Sequence, residues 1–141
     1  LIGVDKLHIG TMIGKMNGKE EVPIIDQEIE ESMIKPKKGF FFIKGGHMLE
    51  QDWHNIKPVF AVCSGGLNPL HIPYLIHHLG RNTIIQMGGG IHAHPGGTIA
   101  GARAAKQAVD ATLLGISLKD YSLNHKELKQ AIEKWGPSMH A

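Results

Sequence analysis

The sequence has little of what marks a secreted, membrane-spanning or nucleic-acid-binding protein. Its one cysteine, Cys63, cannot form an internal disulfide. No apolar run approaches the ~18 residues that span a bilayer. Its 15 basic residues exceed its 13 acidic residues by only two, so no strong field favours a nucleic acid or an anionic membrane. We therefore expect a soluble, cytoplasmic protein whose partner is a small molecule or another protein.

An initiating methionine and a charged leader are also absent, because the chain opens at Leu1 and soon enters a strand-like stretch. This start predicts a fragment of a longer protein. Glycine, in contrast, is abundant: 18 of 141 residues, well above the average of ~7%. The glycines cluster where strand-like runs end, which indicates specific turns and not a flexible linker.

Strand-like and helix-like segments alternate along the chain. Continuous apolar runs are typical of parallel strands buried on both faces, and apolar residues at helical spacing predict amphipathic helices. The alanine-rich helix is expected to bury a stripe of Ile99, Ala102, Ala105, Ala108, Val109 and Thr112. Strands are predicted at 6–9, 40–44, 58–63 and 83–87, and helices at 19–34, 71–79, 98–114 and 124–135, with no clear period over 47–57.

The fold class that follows is α/β, with three parallel βα units. Three such strands cannot cover their own edges, whereas a TIM (β/α)8 barrel closes with eight. The chain therefore looks like about three-eighths of a barrel. We assign residues 1–115 to this partial barrel and residues 116–141 to a carboxyl-terminal helical extension.

Two glycine clusters stand at predicted strand ends, where parallel α/β folds bind their ligands. Ser64, Gly65 and Gly66 follow one strand, and Gly88 and Gly89, with the next glycine, follow another. Glycine exposes backbone N–H groups without a Cβ, as close approach of a phosphate requires. A single such loop is as well explained by a tight turn, but two in successive units favour phosphate binding.

Two basic side chains belong to the first unit. Lys15 lies in a glycine-rich loop, from which its ammonium can swing over a ligand and neutralise developing charge. His8, at the end of the first strand, can contact a second phosphate or donate a hydrogen bond. The plainer alternatives are a solvated surface lysine and a buried, satisfied histidine.

Metal ligands are scarce. His92 and His94 form a His-x-His pair without nearby Cys, Asp or Glu, which is a weak metal signal. His71, His77 and His78 are expected on a helix surface. Asp5 is the only carboxylate near a predicted strand end, so a site of several oxygens for a hard cation cannot be assembled. Any Mg²⁺ must be held by residues outside this chain.

Three motifs resemble one family. The string HIGTMIGKMNG at 8–18 keeps the pattern H-x-G-T-x-x-G-K-x-x-G of loop six in ribulose-bisphosphate carboxylase large subunits. CSGGL at 63–67 resembles the loop after that family's seventh strand, and QMGGG at 86–90 with HP at 94–95 resembles the loop after the eighth. The resemblance runs over residues 1–135, and the tail NHKEL and EKWG at 124–136 is similar to the archaeal form III branch.

The resemblance implies that the chain holds units six to eight of the barrel. It implies that Lys15 is the lid lysine that stabilises the new carboxylate after carbon dioxide adds to the enediol. His8 would bind near one phosphate and Ser64 the substrate hydroxyls, while the loop residues Gly65 and Gly66, with Gly88 and Gly89, would hold the other phosphate.

The implied reaction is Mg²⁺-dependent carboxylation of ribulose 1,5-bisphosphate to two 3-phosphoglycerates. The family's carbamylated lysine, metal carboxylates and proton-abstracting lysine lie in earlier strands, and its dimer interface completes the site. The implied partners are thus the remainder of the large subunit and a second copy. The sequence departs from the plant-type pattern of the family in two places, which bear on loop closure: Asn17 replaces an acidic residue, and the run LNPL stands at 67–70.

Two alternatives stay open. One is a carboxylase-like enolase or isomerase of a phosphorylated sugar, which need not keep Lys15. The other is a non-catalytic truncated fragment, which the missing metal site favours.

Overall fold

The computed structural model describes residues 3–13, 21–35, 37–38 and 47–136, with the backbone alone at 37, 38, 47 and 48. Lys15 and the strand predicted at 40–44 lie outside these residues. In chain order the elements are β1 (Lys6–Gly10), α1 (Val22–Glu30), β2 (Met33–Ile34), β3 (Lys37–Lys38), β4 (His47–Met48), β5 (Gln51–Asp52), β6 (Phe60–Ser64), a 3-10 turn (Pro69–His71), α2 (Ile72–Leu79), β7 (Ile84–Gln86), α3 (Gly89–His92), α4 (Gly97–Leu114), α5 (Leu118–Tyr121), a 3-10 turn (Ser122–Asn124) and α6 (Lys126–Trp135).

The central sheet is parallel, with β6 between β1 and β7. Helix α1 lies in the connection from β1 to β6, and α2 in that from β6 to β7. This arrangement confirms the predicted α/β class. The segment without a clear period contributes to two short antiparallel ladders, β2 with β5 and β3 with β4. No described helix is both long and apolar enough to cross a membrane.

The first core lies between the sheet and the helices α1 and α2. Ala61 and Cys63 of β6 are fully buried there, together with Leu75 of α2. Burial on both faces is nevertheless wrong for part of the predicted strands, since Phe60 is 52% and Ile84 38% exposed. Neither residue belongs to the two cores that the described helices cover.

The second core joins α2, α4 and α6. Ala108 of α4 and Leu128 of α6 are fully buried in it, and burying a leucine side chain contributes roughly 2 kcal/mol. The predicted stripe of α4 is partly wrong, because Ile99 is 73% exposed. The buried face of α4 is the one with small residues, because the backbone of α3 packs directly against it. A Cβ on Gly101 would stand 2.1 Å from the carbonyl oxygen of Ile91.

One predicted helix is shorter than expected, and one observed helix was not predicted. Helix α1 ends at Glu30, where Glu31 is extended, and Met33 joins a strand instead of continuing the predicted helix over 19–34. The short helix α5 is not predicted at all; the Ser117 hydroxyl caps it by accepting a hydrogen bond from the Asp120 N–H at 3.1 Å. The division of the chain at residue 115 stays a prediction, and α6 packs on α4 across it.

A pair of acidic side chains lies on the inner face of α1. Asp26 is buried, and one carboxylate oxygen each of Asp26 and Glu30 is buried without a hydrogen-bond partner among the described residues. Burial, and then the charge of Glu30, raises the pKa of Asp26 to about 7. Burial also raises the pKa of Glu30. The folded chain therefore holds a proton here that the unfolded chain releases at lower pH.

This pair makes stability depend on pH. Because the pKa of Asp26 is raised on folding, its contribution is complete below the unfolded pKa and is lost as pH rises through about 7. We expect the free energy of unfolding to fall by about 2 to 3 kcal/mol from pH 5 to pH 8, with a slope of up to ~1.4 kcal/mol per unit below pH 7 that levels off above it. Urea unfolding of the protein and of Asp26→Asn measures the slope, which the substitution should flatten.

Glu28→Gln is the matched control, because residues two positions apart on a helix do not face each other. It should keep the parental slope. An Asp26→Asn variant whose stability falls with pH as steeply as the parent's contradicts the assignment.

Candidate functional site

A cavity opens where β6 and β7 end. Ser64 and Gln86 are the last residues of these strands and are paired in register, so the loops that follow leave the sheet side by side. The cavity has a volume of about 460 Å³. Its lining consists of Ser64, Gly65, Gly66, Leu67, Asn68, Gln86, Gly88, Gly89, Gly90 and Trp135. Five of the predicted site residues thus surround one space.

His8 reaches the same end of the sheet from β1. Its Nδ1 atom shares a hydrogen bond of 3.1 Å with the Ser64 hydroxyl, across the boundary between β1 and β6. The strand register is interrupted just after His8, since His8 pairs with Val62 but Gly10 pairs with Cys63. Such a bulge re-aims side chains at a strand end. His8 therefore adjoins the cavity through Ser64.

The glycines of the two loops have different surroundings. A Cβ added at Gly88 or Gly89 would meet nothing within 4 Å. At Gly90 it would stand 2.1 Å from the carbonyl oxygen of Leu67. Gly90 is thus required by the packing of one loop on the other, whereas the space beside Gly88 and Gly89 is open.

The loop after β6 needs glycine because of its backbone angles. Gly65 and Gly66 have φ angles of 115° and 63°, in the region that side chains disfavour. At Gly66 a Cβ would meet nothing within 4 Å. This loop therefore turns sharply and leaves its backbone accessible at the cavity.

A capping box fixes the far side of the same loop. The Asn68 side chain accepts a hydrogen bond from the Leu70 N–H at 2.9 Å, and the Asn68 N–H donates to His71 Nδ1 at 3.1 Å. His71 is half-buried and accepts this hydrogen bond, so its expected place on a helix surface is wrong; burial also lowers its pKa. The Asn-Pro pair at 68–69 is the signal that predicts this cap.

The His-x-His pair has structural partners. His94 is buried; its Nδ1 accepts a hydrogen bond from the Gly96 N–H at 3.0 Å, so its Nε2 donates to the Glu127 carbonyl at 2.9 Å. His92 Nδ1 bonds the Thr98 hydroxyl at 3.1 Å. Over the described ranges, no group of three or more His, Cys, Asp or Glu side chains could hold a metal ion.

The cavity lining also contains side chains that sequence reasoning passed over. Gln86, Asn68 and Trp135 all face it. The QMGGG motif contains the first, but Trp135 is 46 positions beyond Gly89, and no sequence pattern links the two. A smaller, mostly apolar pocket of about 140 Å³ lies near Val4 and Pro58, before the strands β1 and β6 begin.

Comparisons with known proteins show which family the chain belongs to. Residues 1–135 match the model of the ribulose bisphosphate carboxylase large chain, catalytic domain. Ribulose bisphosphate carboxylase of Methanosarcina mazei is 50% identical over 137 residues, which cover 96% of this chain and 30% of that protein. The chain thus spans about 30% of the length of the curated relatives that it matches.

Solved structures agree with this result. The dimeric archaeal Rubisco of Hyperthermus butylicus is 46% identical, with a TM-score of 0.81 over 95% of this chain and 30% of the other. The octameric enzyme of Pyrococcus horikoshii is 36% identical, with a TM-score of 0.77 over 97% of this chain and 28% of the other. Sequence and structure together show that the chain belongs to the ribulose bisphosphate carboxylase large-chain family.

Proposed function

We propose that the chain is the segment of a ribulose-bisphosphate carboxylase that binds one substrate phosphate and supplies the lid lysine. The cavity at the ends of β6 and β7 carries this proposal. Two glycine-containing loops line it, and the space beside Gly66, Gly88 and Gly89 is open. Consecutive backbone N–H groups in such a space suit a phosphate dianion.

The residue roles follow from this arrangement. Gly65 and Gly66, with Gly88 and Gly89, bind the phosphate through the backbone, and Ser64 contacts the substrate hydroxyls. His8, hydrogen-bonded to Ser64, lies toward the second phosphate. Lys15 stabilises the carboxylate that forms when carbon dioxide adds to the enediol, because a cation is most effective where charge develops in the transition state.

The parallel order β1-β6-β7 supports units six to eight of a TIM barrel. Residues 116–141 then form a helical extension of that barrel. The complete protein would be cytoplasmic and built on a homodimer, as the dimeric relative suggests.

The described residues do not fit a Mg²⁺ site. No cluster of three suitable ligands is present among them, and the acidic pair Asp26 and Glu30 lies on the core face of α1, away from the cavity lining. We therefore place the Mg²⁺ ligands of the complete enzyme outside this chain, and we assign no step of the reaction through the metal to these residues.

An enolase or isomerase of a phosphorylated sugar is the second candidate. The same phosphate cavity would serve it, so the cavity does not separate the two functions. The full motif around Lys15, HIGTMIGKMNG, favours the carboxylase, because only that reaction needs a cation for a new carboxylate.

The pure 141-residue chain is expected to show no carboxylation of ribulose bisphosphate, because its described residues contain no ligand set for the metal. The complete large subunit that contains this segment is expected to fix labelled carbon dioxide into 3-phosphoglycerate. Both are measured in one assay with Mg²⁺ and bicarbonate. Turnover by the short chain contradicts the assignment of the metal site, and isomerised sugar without fixed carbon contradicts the carboxylase function.

A further inference from the structure

We propose that Trp135, the last residue of α6, is a positioning residue of the phosphate site: its indole ring forms one wall of the cavity and holds the loop after β7 in its binding geometry. The inference rests on the proposed function. It starts from the cavity, where Trp135 is the one described lining residue that comes from outside β6, β7 and the loops that follow them.

Both ends of α6 are attached to the segment that follows α3. Near its start, the Glu127 carbonyl accepts the hydrogen bond from His94, whose other ring nitrogen accepts from the Gly96 N–H. At its end, the Lys134 ammonium donates to the Ala93 carbonyl. The loop between α3 and α4 is thus held at two points by one helix.

Trp135 extends this attachment to the cavity. Its ring lies 6.2 Å from the His94 ring, centroid to centroid, and the Lys134 ammonium lies 5.3 Å from the Trp135 ring centroid. An ammonium at this distance from an indole face is attracted by the ring quadrupole. Lys134, Trp135 and His94 therefore pack together beside Ala93, where α3 ends.

Helix α6 is itself fixed to α4, so it can act as a rigid support. Gln107 of α4 accepts a hydrogen bond from the Leu128 N–H at 2.9 Å and donates to the Glu127 carboxylate at 2.8 Å. Leu128 is fully buried beside Ala108. Since α3 also packs tightly on α4 at Gly101, α3, α4 and α6 form a block that carries the phosphate loop.

The indole contributes to phosphate binding in two ways. It excludes water from one side of the cavity, and hydrogen bonds from backbone N–H groups to an anion are stronger where water is excluded. It also keeps Gly88 and Gly89 in place through His94. Phenylalanine preserves a flat apolar wall, whereas alanine removes it, so the two substitutions should differ.

The test uses the complete protein that carries this segment, labelled with 5-fluorotryptophan. The fluorine resonance of Trp135 is identified by its loss in Trp135→Phe, and that of Trp53, which lies by the distant apolar pocket, by its loss in Trp53→Phe. Inorganic phosphate is titrated at constant ionic strength. The Trp135 resonance should shift to saturation and the Trp53 resonance should not move.

Phosphate affinity and melting temperature are then measured for the variants. Trp135→Ala should weaken phosphate binding about tenfold, as when one hydrogen bond to a charged group is weakened, and Trp135→Phe should restore most of the affinity. Gly89→Ala is the reference for loss of the site. If Gly89→Ala loses phosphate binding but Trp135→Ala does not, the role of Trp135 is wrong and the proposed function stands. If neither loses it, the phosphate site itself is wrong.

Discussion

Lys15→Ala in the complete large subunit is expected to slow carboxylation about 10²-fold or more, the usual cost of removing one electrostatic contact from a transition state. Enolisation of ribulose bisphosphate should continue near its original rate, because the new carboxylate forms only after the enediol. Fixation of labelled carbon dioxide measures the first step, and exchange of the C3 proton with solvent measures the second.

Lys6→Ala is the control, since Lys6 is exposed at the opposite end of β1 from the cavity. It should leave both rates unchanged. An equal loss of enolisation and carboxylation in Lys15→Ala would show that Lys15 binds the substrate and does not act on the carboxylate.

Gly89→Ala and Gly90→Ala should have opposite effects, although the residues are neighbours. A Cβ on Gly89 meets no protein atom within 4 Å, so Gly89→Ala should keep its melting temperature and lose bisphosphate affinity about 10- to 100-fold. A Cβ on Gly90 would stand 2.1 Å from the Leu67 carbonyl oxygen, so Gly90→Ala should lose about 1 to 3 kcal/mol of stability. Calorimetry gives both quantities, with a non-reacting bisphosphate inhibitor as ligand.

The comparison separates ligand contact from turn geometry. If Gly89→Ala has a lower melting temperature but its folded fraction binds the inhibitor as tightly as the parent, Gly89 is needed only for the turn geometry. The phosphate role of this loop would then be wrong.

The sequence predicted the elements with unambiguous local signals. The apolar runs that end at Cys63 and Met87 formed the parallel strands β6 and β7, since short runs bounded by glycines favour strands over helices. The long alanine-rich helix begins within one residue of its prediction and ends at Leu114, before Gly115 in the left-handed conformation. Its buried face was misjudged, because the small residues Gly101 and Ala104 are buried there and Ile99 is not.

What the sequence did not reveal depends on tertiary contacts. Met33 continues a helical spacing but pairs with Asp52 in a ladder, because strand pairing overrides local propensity. His71 accepts a hydrogen bond from the Asn68 N–H in a helix cap. Trp135 lies at the cavity because α6 packs on α4. The role of Lys15 rests on sequence resemblance, since it lies outside the described residues.

The two strand pairings of the central sheet differ in chain separation, which sets an order of folding. Lys6 pairs with Phe60, whereas Val62 pairs with Ile84, so the first pairing closes a loop more than twice as long. Each doubling of loop length costs about 0.6 kcal/mol in closure entropy, and long-range contacts form more slowly. The βαβ unit of β6, α2 and β7, whose strand ends open into the cavity, is therefore expected to nucleate first, and β1 docks onto it afterwards with His8.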